Sequence, residues 1–123
     1  MKEEKALENK QRIVQELVPG KQITLAHIIA NPDPVLYEKL GLHPNMESVG
    51  SAIGVLTVSP VETAIIMADI GIKSAGVELG FVDRFSGSMI VMGTVSEVEA
   101  SIQAILQYVE NTLGYTICSI SRT

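Results

Sequence analysis

A two-layer α/β sandwich is the fold this sequence predicts, and three observations predict it. A phrase recurs: Thr57-Val58-Ser59-Pro60-Val61-Glu62 returns as Thr94-Val95-Ser96-Glu97-Val98-Glu99, each time where a β-like run gives way to helical spacing. Between the two copies lie two short β-like runs joined by the tight turn Asp83–Gly87. The composition, 46% hydrophobic but only 4% aromatic, is aliphatic, which suits helices packed closely on a sheet. Ile53–Leu79 and Met89–Ile120 therefore each read as strand, helix, strand.

In both phrases a Ser stands three residues before a Glu. That is the pattern of a capping box, in which the Ser oxygen accepts from an orphan backbone N–H and the Glu reaches back to the Ser N–H. Pro60 fits a first helical position, where its missing N–H costs nothing.

Taken in order, Met1–Arg12 is a charged lead and Ile13–Val18 a short strand stopped by Pro19-Gly20, standing apart from the main unit. Gln22–Ile29 is a stronger strand, rich in β-branched residues. Asp33 caps a short helix with Pro34 in its first turn, which runs to about Leu40 and is stopped by Gly41. His43–Ser51 is a polar loop. On the first long helix Val61, Ala64, Ile65, Ala68 and Ile72 form the apolar stripe. Val77–Phe81 and Ser88–Met92 flank the turn. The second long helix buries Val98, Ile102, Ile105, Val109 and Leu113, ends at Gly114, and leads into a closing strand Tyr115–Ile120. A hairpin with two crossover helices makes the sandwich ferredoxin-like.

At 123 residues the chain is one domain with room for one core. A net charge of −5 with dispersed basic residues excludes the basic face that nucleic-acid binding needs. No apolar run approaches the roughly 20 residues of a membrane span, and the charged opening is no signal peptide. The lone Cys118 points to a reducing, cytoplasmic setting.

Catalytic candidates are few. His27 lies in an apolar strand and His43 in a loop, and neither has a carboxylate or Cys at ligand spacing, so no metal site and no cofactor are expected. Cys118 has no evident base or resolving thiol, and a packed small residue is the stronger reading. Asp69 and Lys73 are spaced as an i,i+4 ion pair. Asp83-Arg84-Phe85-Ser86-Gly87 is hairpin chemistry with an aromatic at its tip, although Arg84 beside Ser and Gly leaves an anion-binding turn open. The residues contain no catalytic constellation. They also leave open a regulatory domain of this fold that binds a small molecule.

The run Val61-Glu62-Thr63-Ala64-Ile65-Ile66-Met67-Ala68-Asp69-Ile70-Gly71-Ile72-Lys73-Ser74-Ala75-Gly76-Val77-Glu78-Leu79-Gly80-Phe81 resembles the shell-protein (BMC) domain of bacterial microcompartments. Phe85-Ser86-Gly87 falls where that family has Gly-Ser-Gly, and Gly93-Thr94-Val95 where it has Gly-Asp-Val. His27-Ile28-Ile29-Ala30-Asn31-Pro32 and Val35–Leu40 resemble the family's closing strand and helix, yet here they come first. That order, with the phrase Val18-Pro19-Gly20-Lys21-Gln22-Ile23-Thr24-Leu25-Ala26-His27, is similar to the circularly permuted subclass of ethanolamine-, propanediol- and choline-utilising compartments.

The resemblance implies a homohexameric, non-enzymatic tile of a cytoplasmic shell, with other shell proteins as partners and the enclosed enzymes as candidates for docking. It implies a permuted shell domain over 19–123. Lys73 and Asn31 would lie at the hexamer edge, with Asn31 in place of the family's Arg, and Phe85, Ser86 and Gly87 at the pore turn. Ile13, Val14, Gln15, Glu16, Leu17 and Val18 would form a strand that joins its copies in a small barrel over the axis. Either Ile23–Ile29 or Tyr115–Ile120 would take the family's last-strand position.

Overall fold

The computed structural model describes residues 20–44 and 51–123. The expected lead 1–12 and strand Ile13–Val18 lie outside the described residues. Eight elements follow in chain order: β1 (Gln22–Ala30), α1 (Pro34–Lys39), β2 (Ala52–Ser59), α2 (Thr63–Ser74), β3 (Glu78–Asp83), β4 (Ser88–Gly93), α3 (Val95–Asn111) and β5 (Ser121–Arg122).

The strands form one sheet in the order β3-β4-β2-β1-β5. Its first three pairings are antiparallel, and β5 runs parallel to β1. From β2 onward the chain traces β2-α2-β3-β4-α3, which in a ferredoxin-like sandwich would return a last strand beside β2. That place is held instead by β1, which precedes β2 in sequence. The permutation is thus visible in the topology, and β1 takes the last-strand position.

The expected closing strand Tyr115–Ile120 is corrected. This stretch makes one parallel bridge, Thr116 to Gln22, and becomes a strand only at Ser121–Arg122. It runs along an edge, where pairing is offered on one side only. Its apolar side chains Tyr115, Ile117, Cys118 and Ile120 pack on the core instead of alternating across a pleat.

Strand β1 carries a bulge at Thr24: Ile23 faces Val58 and Leu25 faces Thr57, leaving Thr24 as the extra residue. The bulge resets the alternation, so Ile23, Ala26 and Ile28 all reach the helix side despite their uneven spacing. Strand β2 splits cleanly. Ala52, Leu56 and Val58 join the main core under α2 and α3, while Ile53 faces the other side with Ile90 and Met92. There Tyr37 of α1 and Leu42 cover them. Helix α1 starts as expected, Asp33 Oδ1 accepting from the Val35 N–H at 3.0 Å, and Gly41 ends it at φ +72°.

Of the two expected capping boxes, the first is absent and the second is shifted. Ser59 remains in β2, paired with Gln22, and α2 begins at Thr63 without a side-chain cap. Its first N–H groups are satisfied by tight i→i+3 bonds from Thr63, Ala64 and Ile65 to Pro60, Val61 and Glu62, each 3.1 Å. For α3 the box is one frame earlier. Thr94 Oγ1 accepts from the Glu97 N–H at 3.2 Å, and Glu97 Oε1 accepts from the Thr94 N–H at 3.0 Å. Strand β4 pairs through Gly93, which leaves Thr94 as the sole residue between strand and helix. Thr94→Ala should cost about 1 kcal/mol, while Ser96→Ala should change little; urea midpoints of the two variants decide between the frames.

The stripe expected on α2 is also corrected. Thr63, Ala64, Met67, Ala68 and Gly71 are buried, whereas Ile65 and Ile72 point outward. The cause is the closeness of α3. A Cβ on Gly71 would lie 2.9 Å from Ser101 Oγ and 3.1 Å from Ile105 Cδ1, and Ser101 Oγ donates to the Gly71 carbonyl at 3.0 Å. At that crossing only a residue without a side chain fits, which sets the rotation of α2 and leaves Ile65 and Ile72 outside. On α3, Val98, Ile102, Ile105 and Val109 are fully buried as expected, with Leu113 partly so. The expected strand Val77–Phe81 starts one residue later and ends two later, at Glu78–Asp83, with a register shift at Gly80.

Candidate assembly surfaces

The β3–β4 turn is built from its own polar groups. Asp83 Oδ1 accepts from the Phe85 N–H at 2.9 Å and Asp83 Oδ2 from the Ser86 hydroxyl at 2.9 Å, while the Gly87 N–H donates to the Asp83 carbonyl at 2.9 Å. Ser86 Oγ also lies 3.1 Å from Ser88 Oγ. At the other flank the Val58 N–H donates to the Gly87 carbonyl at 2.9 Å, tying the turn to β2. Gly87 has φ +75°, and a Cβ there would strike the Val58 carbonyl oxygen, so Gly is required twice over.

This frame holds Phe85 outward at 79% exposure, with the Arg84 guanidinium 4.9 Å from its ring centre. Beside it opens a shallow cleft of about 320 Å³ lined by Ile65, Val82, Asp83, Arg84 and Phe85. Arg84 thus lies against the ring beside it.

The hydrogen bond from the Phe85 backbone N–H, then that from Ser86, hold the Asp83 carboxyl below its ordinary value of 3.8. A depressed carboxylate stabilises above its unfolded pKa and loses that contribution as pH falls through the folded one. The turn should therefore keep its order down to pH about 4 and loosen only below it. The Phe85 amide resonance, followed through an acid titration, should move at a midpoint below 3.8; a midpoint above it would contradict the bonded turn.

The expected edge residues sit on different layers. Lys73 closes α2, its Nζ 2.9 Å from Asp69 Oδ2 in the i,i+4 pair, and both side chains are more than half exposed. Asn31 follows β1 at φ +53°, exposed, its N–H donating to the Ser51 carbonyl at 2.9 Å. It leads into α1, across the sheet from α2. No hydrogen bond or ion pair joins Lys73 to Asn31 among the described residues, so they do not form one site within a chain.

His27 is taken up in hydrogen bonds along the sheet edge. Its Nδ1 lies 2.6 Å from Ser121 Oγ and its Nε2 3.0 Å from Thr123 Oγ1. Among the described residues no group of His, Cys, Asp or Glu is placed to hold a metal ion, and no helix is long and apolar enough to cross a membrane.

One set of exposed residues was missed in the sequence. Ile65, Ile66 and Ile72 on α2, with Leu79 and Phe81 on β3, stand exposed on the single chain, Leu79 on the sheet face of Val91 and Phe81 on that of Ile90. The signal was there: Ala64-Ile65-Ile66-Met67-Ala68 is apolar all round, more than one buried stripe can use.

The BMC domain model matches residues 52–121. The bacterial microcompartment shell protein PduU of Salmonella typhimurium is 48% identical over 112 residues, covering 91% of this chain and 93% of that protein. The shell protein EutS of the same organism is 44% identical over 115 residues, covering 94% and 99%. Among solved structures, a flat hexamer of CutR superposes with a TM-score of 0.77 at 46% identity, covering 91% of this chain and 99% of that one.

Proposed function

The chain belongs to the BMC-domain family of bacterial microcompartment shell proteins, and from that membership we propose that it is a hexameric structural tile whose sixfold axis is closed by its own N-terminal strands. The family's part is structural, and the chain has no catalytic constellation to set against it. The observation that carries the hexamer is the near full-length likeness to a protein solved as a flat hexamer, together with aliphatic residues of α2 and β3 left exposed on one chain. Packing in a closed ring gives those side chains a partner.

In this reading residues 19–123 are the permuted shell domain, 1–12 a charged lead and 13–18 the barrel strand. The Phe85-Ser86-Gly87 turn sits at the axis, its rigid frame fixing what faces the opening. Other shell proteins meet the tile at its rim in the cytoplasmic shell, and an enclosed enzyme docks at the barrel. Light scattering and native mass measurement should give six copies, with interfaces above the roughly 1,200 Å² of a specific contact. A monomer at all concentrations overturns the proposal, and three copies would favour the small-molecule-binding regulatory domain.

The rim carries its own prediction. Lys73 stands at the end of α2, where its stem can lie on a neighbouring tile while the ammonium stays wet. Asn31, where the family has Arg, would contribute a neutral hydrogen-bonding group to the same rim. Lys73→Asp should leave the hexamer intact, because the exposed pair it breaks is worth under about 1 kcal/mol. It should nevertheless reduce incorporation into sheets or shells severalfold. Equal incorporation of variant and wild type would remove Lys73 from the edge.

A further inference from the structure

The β3–β4 turn carries both halves of a contact that one chain cannot make with itself. One half is a knob. Phe85 is the most exposed aromatic side chain of the described residues, and its backbone is fixed. Its own N–H and the Ser86 hydroxyl donate to the Asp83 carboxylate, and the Gly87 N–H donates to the Asp83 carbonyl. The Arg84 guanidinium lies on the ring, so the knob is an aromatic that carries a cation with it. A side chain presented on a rigid frame loses little freedom when it is covered, and aromatic and Arg side chains are the commonest anchors of interfaces.

The other half is a hole. The cleft beside the turn has Ile65 of α2 and Val82 of β3 as apolar walls and Asp83 at its margin. Its volume of about 320 Å³ stands at the lower end of the roughly 300–1,000 Å³ of ligand pockets, room for one aromatic ring more readily than for a large ligand. Phe85 borders this cleft without filling it, since its ring stays in solvent, and Ile65 is itself half exposed. Charge agrees with shape. The knob brings the Arg84 cation, and the hole offers the Asp83 carboxylate, which its hydrogen bonds favour in the ionised form.

Knob and hole are different patches, so their contact is heterologous, and head-to-tail repetition builds a closed ring where the rotation allows. A hexamer about one sixfold axis is a ring of that kind. We propose that in this ring the Phe85 side chain of each copy seats in the neighbour's cleft, between Ile65 and Val82, with the entering Arg84 beside the neighbour's Asp83. The site is incomplete in one chain, because the group that fills the cleft comes from the next. The seat rests on the hexameric reading and adds to it what joins neighbours at the turn.

The chain has no Trp, so Phe85→Trp places a single indole at the knob. In the assembled protein its emission should lie to the blue of a solvated indole, and acrylamide should quench it severalfold less than N-acetyltryptophanamide. Ile65→Ala in that background removes a wall of the seat and should shift the emission back to the red and restore quenching. Ile72→Ala, an exposed position of the same helix outside the cleft lining, should leave both unchanged. Phe85→Ala should raise the concentration at which native mass shows dissociation by at least about tenfold, the scale of an interface anchor, with the far-UV circular dichroism unmoved. Phe85→Leu should regain part of that loss. A hexamer whose indole is as exposed as the free one overturns the seat and leaves the ring standing. Shielding indifferent to Ile65→Ala, or lost equally in Ile72→Ala, overturns the cleft as its location. Dissociation of Phe85→Ala at the wild-type concentration overturns the anchor whatever the indole shows. A wild-type chain that is monomeric at every concentration overturns ring and seat together.

Discussion

Gly54→Ala is expected to lower stability by about 1–3 kcal/mol, and Gly54→Leu to abolish folding, a larger effect than any surface substitution in this chain. Gly54 lies mid-strand in β2, the strand flanked by both β1 and β4. A Cβ there would sit 2.7 Å from Val98 Cγ1, 3.0 Å from Val91 Cγ2 and 3.1 Å from Ile102 Cδ1. All three belong to fully buried residues, so none can swing into solvent. The glycine is thus the hollow that lets α3 lie down on the sheet, and its backbone freedom is incidental. A direct consequence is non-additivity. Val98→Ala alone opens a cavity and destabilises, but combined with Gly54→Ala it removes the nearest clash, so the pair should cost clearly less than the sum. Urea unfolding of the two single variants and the double measures this. Additivity within about 0.5 kcal/mol would mean that the two sites do not touch.

The same packing explains what the sequence made legible and what it did not. Helix α3 was readable because its buried face is made of large aliphatics at steps of three and four, and Val98, Ile102, Ile105 and Val109 all lie where that spacing puts them. Helix α2 misled because both of its faces are apolar. The choice between them was made by Gly71 against Ser101, a contact 30 residues away that no local pattern encodes. The caps slipped because Thr94-Val95-Ser96-Glu97-Val98-Glu99 holds two overlapping boxes, and the end of β4 at Gly93 selects the first. The bulge at Thr24 and the edge segment after Gly114 depend on partners far along the chain. The β3–β4 turn was the easiest to read, since Asp83, Ser86 and Gly87 satisfy one another locally. The exposed residues of α2 and β3 were harder, because a hydrophobic residue looks the same in sequence whether it faces its own core or another chain.

Removal of residues 1–18 should leave fold and hexamer intact but open the axis. The buried clusters described above are drawn from residues 23–109, so the deletion takes no side chain from them. The segment itself, Ile13-Val14-Gln15-Glu16-Leu17-Val18, cannot be stable as a lone strand, since it would leave its backbone unpaired in water. Six copies closed on themselves pair every edge. A barrel of about eight strands is only just wide enough for side chains to fill, so a six-stranded one has no room for a solute path. Alternation then decides which face turns in. Val14, Glu16 and Val18 share one face and Ile13, Gln15 and Leu17 the other, and six inward Glu16 carboxylates would repel one another in a narrow, poorly hydrated space. In the proposed barrel the expected inner face is therefore Ile13-Gln15-Leu17, which would leave Glu16 to water. Leu17→Glu should open the axis as the deletion does, while Glu16→Leu should leave it closed. Leakage of a small fluorophore from assembled shells reads all three variants. Unchanged leakage after the deletion would show that the strand is no plug, and equal behaviour of the two point variants would show that the inner face is wrongly assigned.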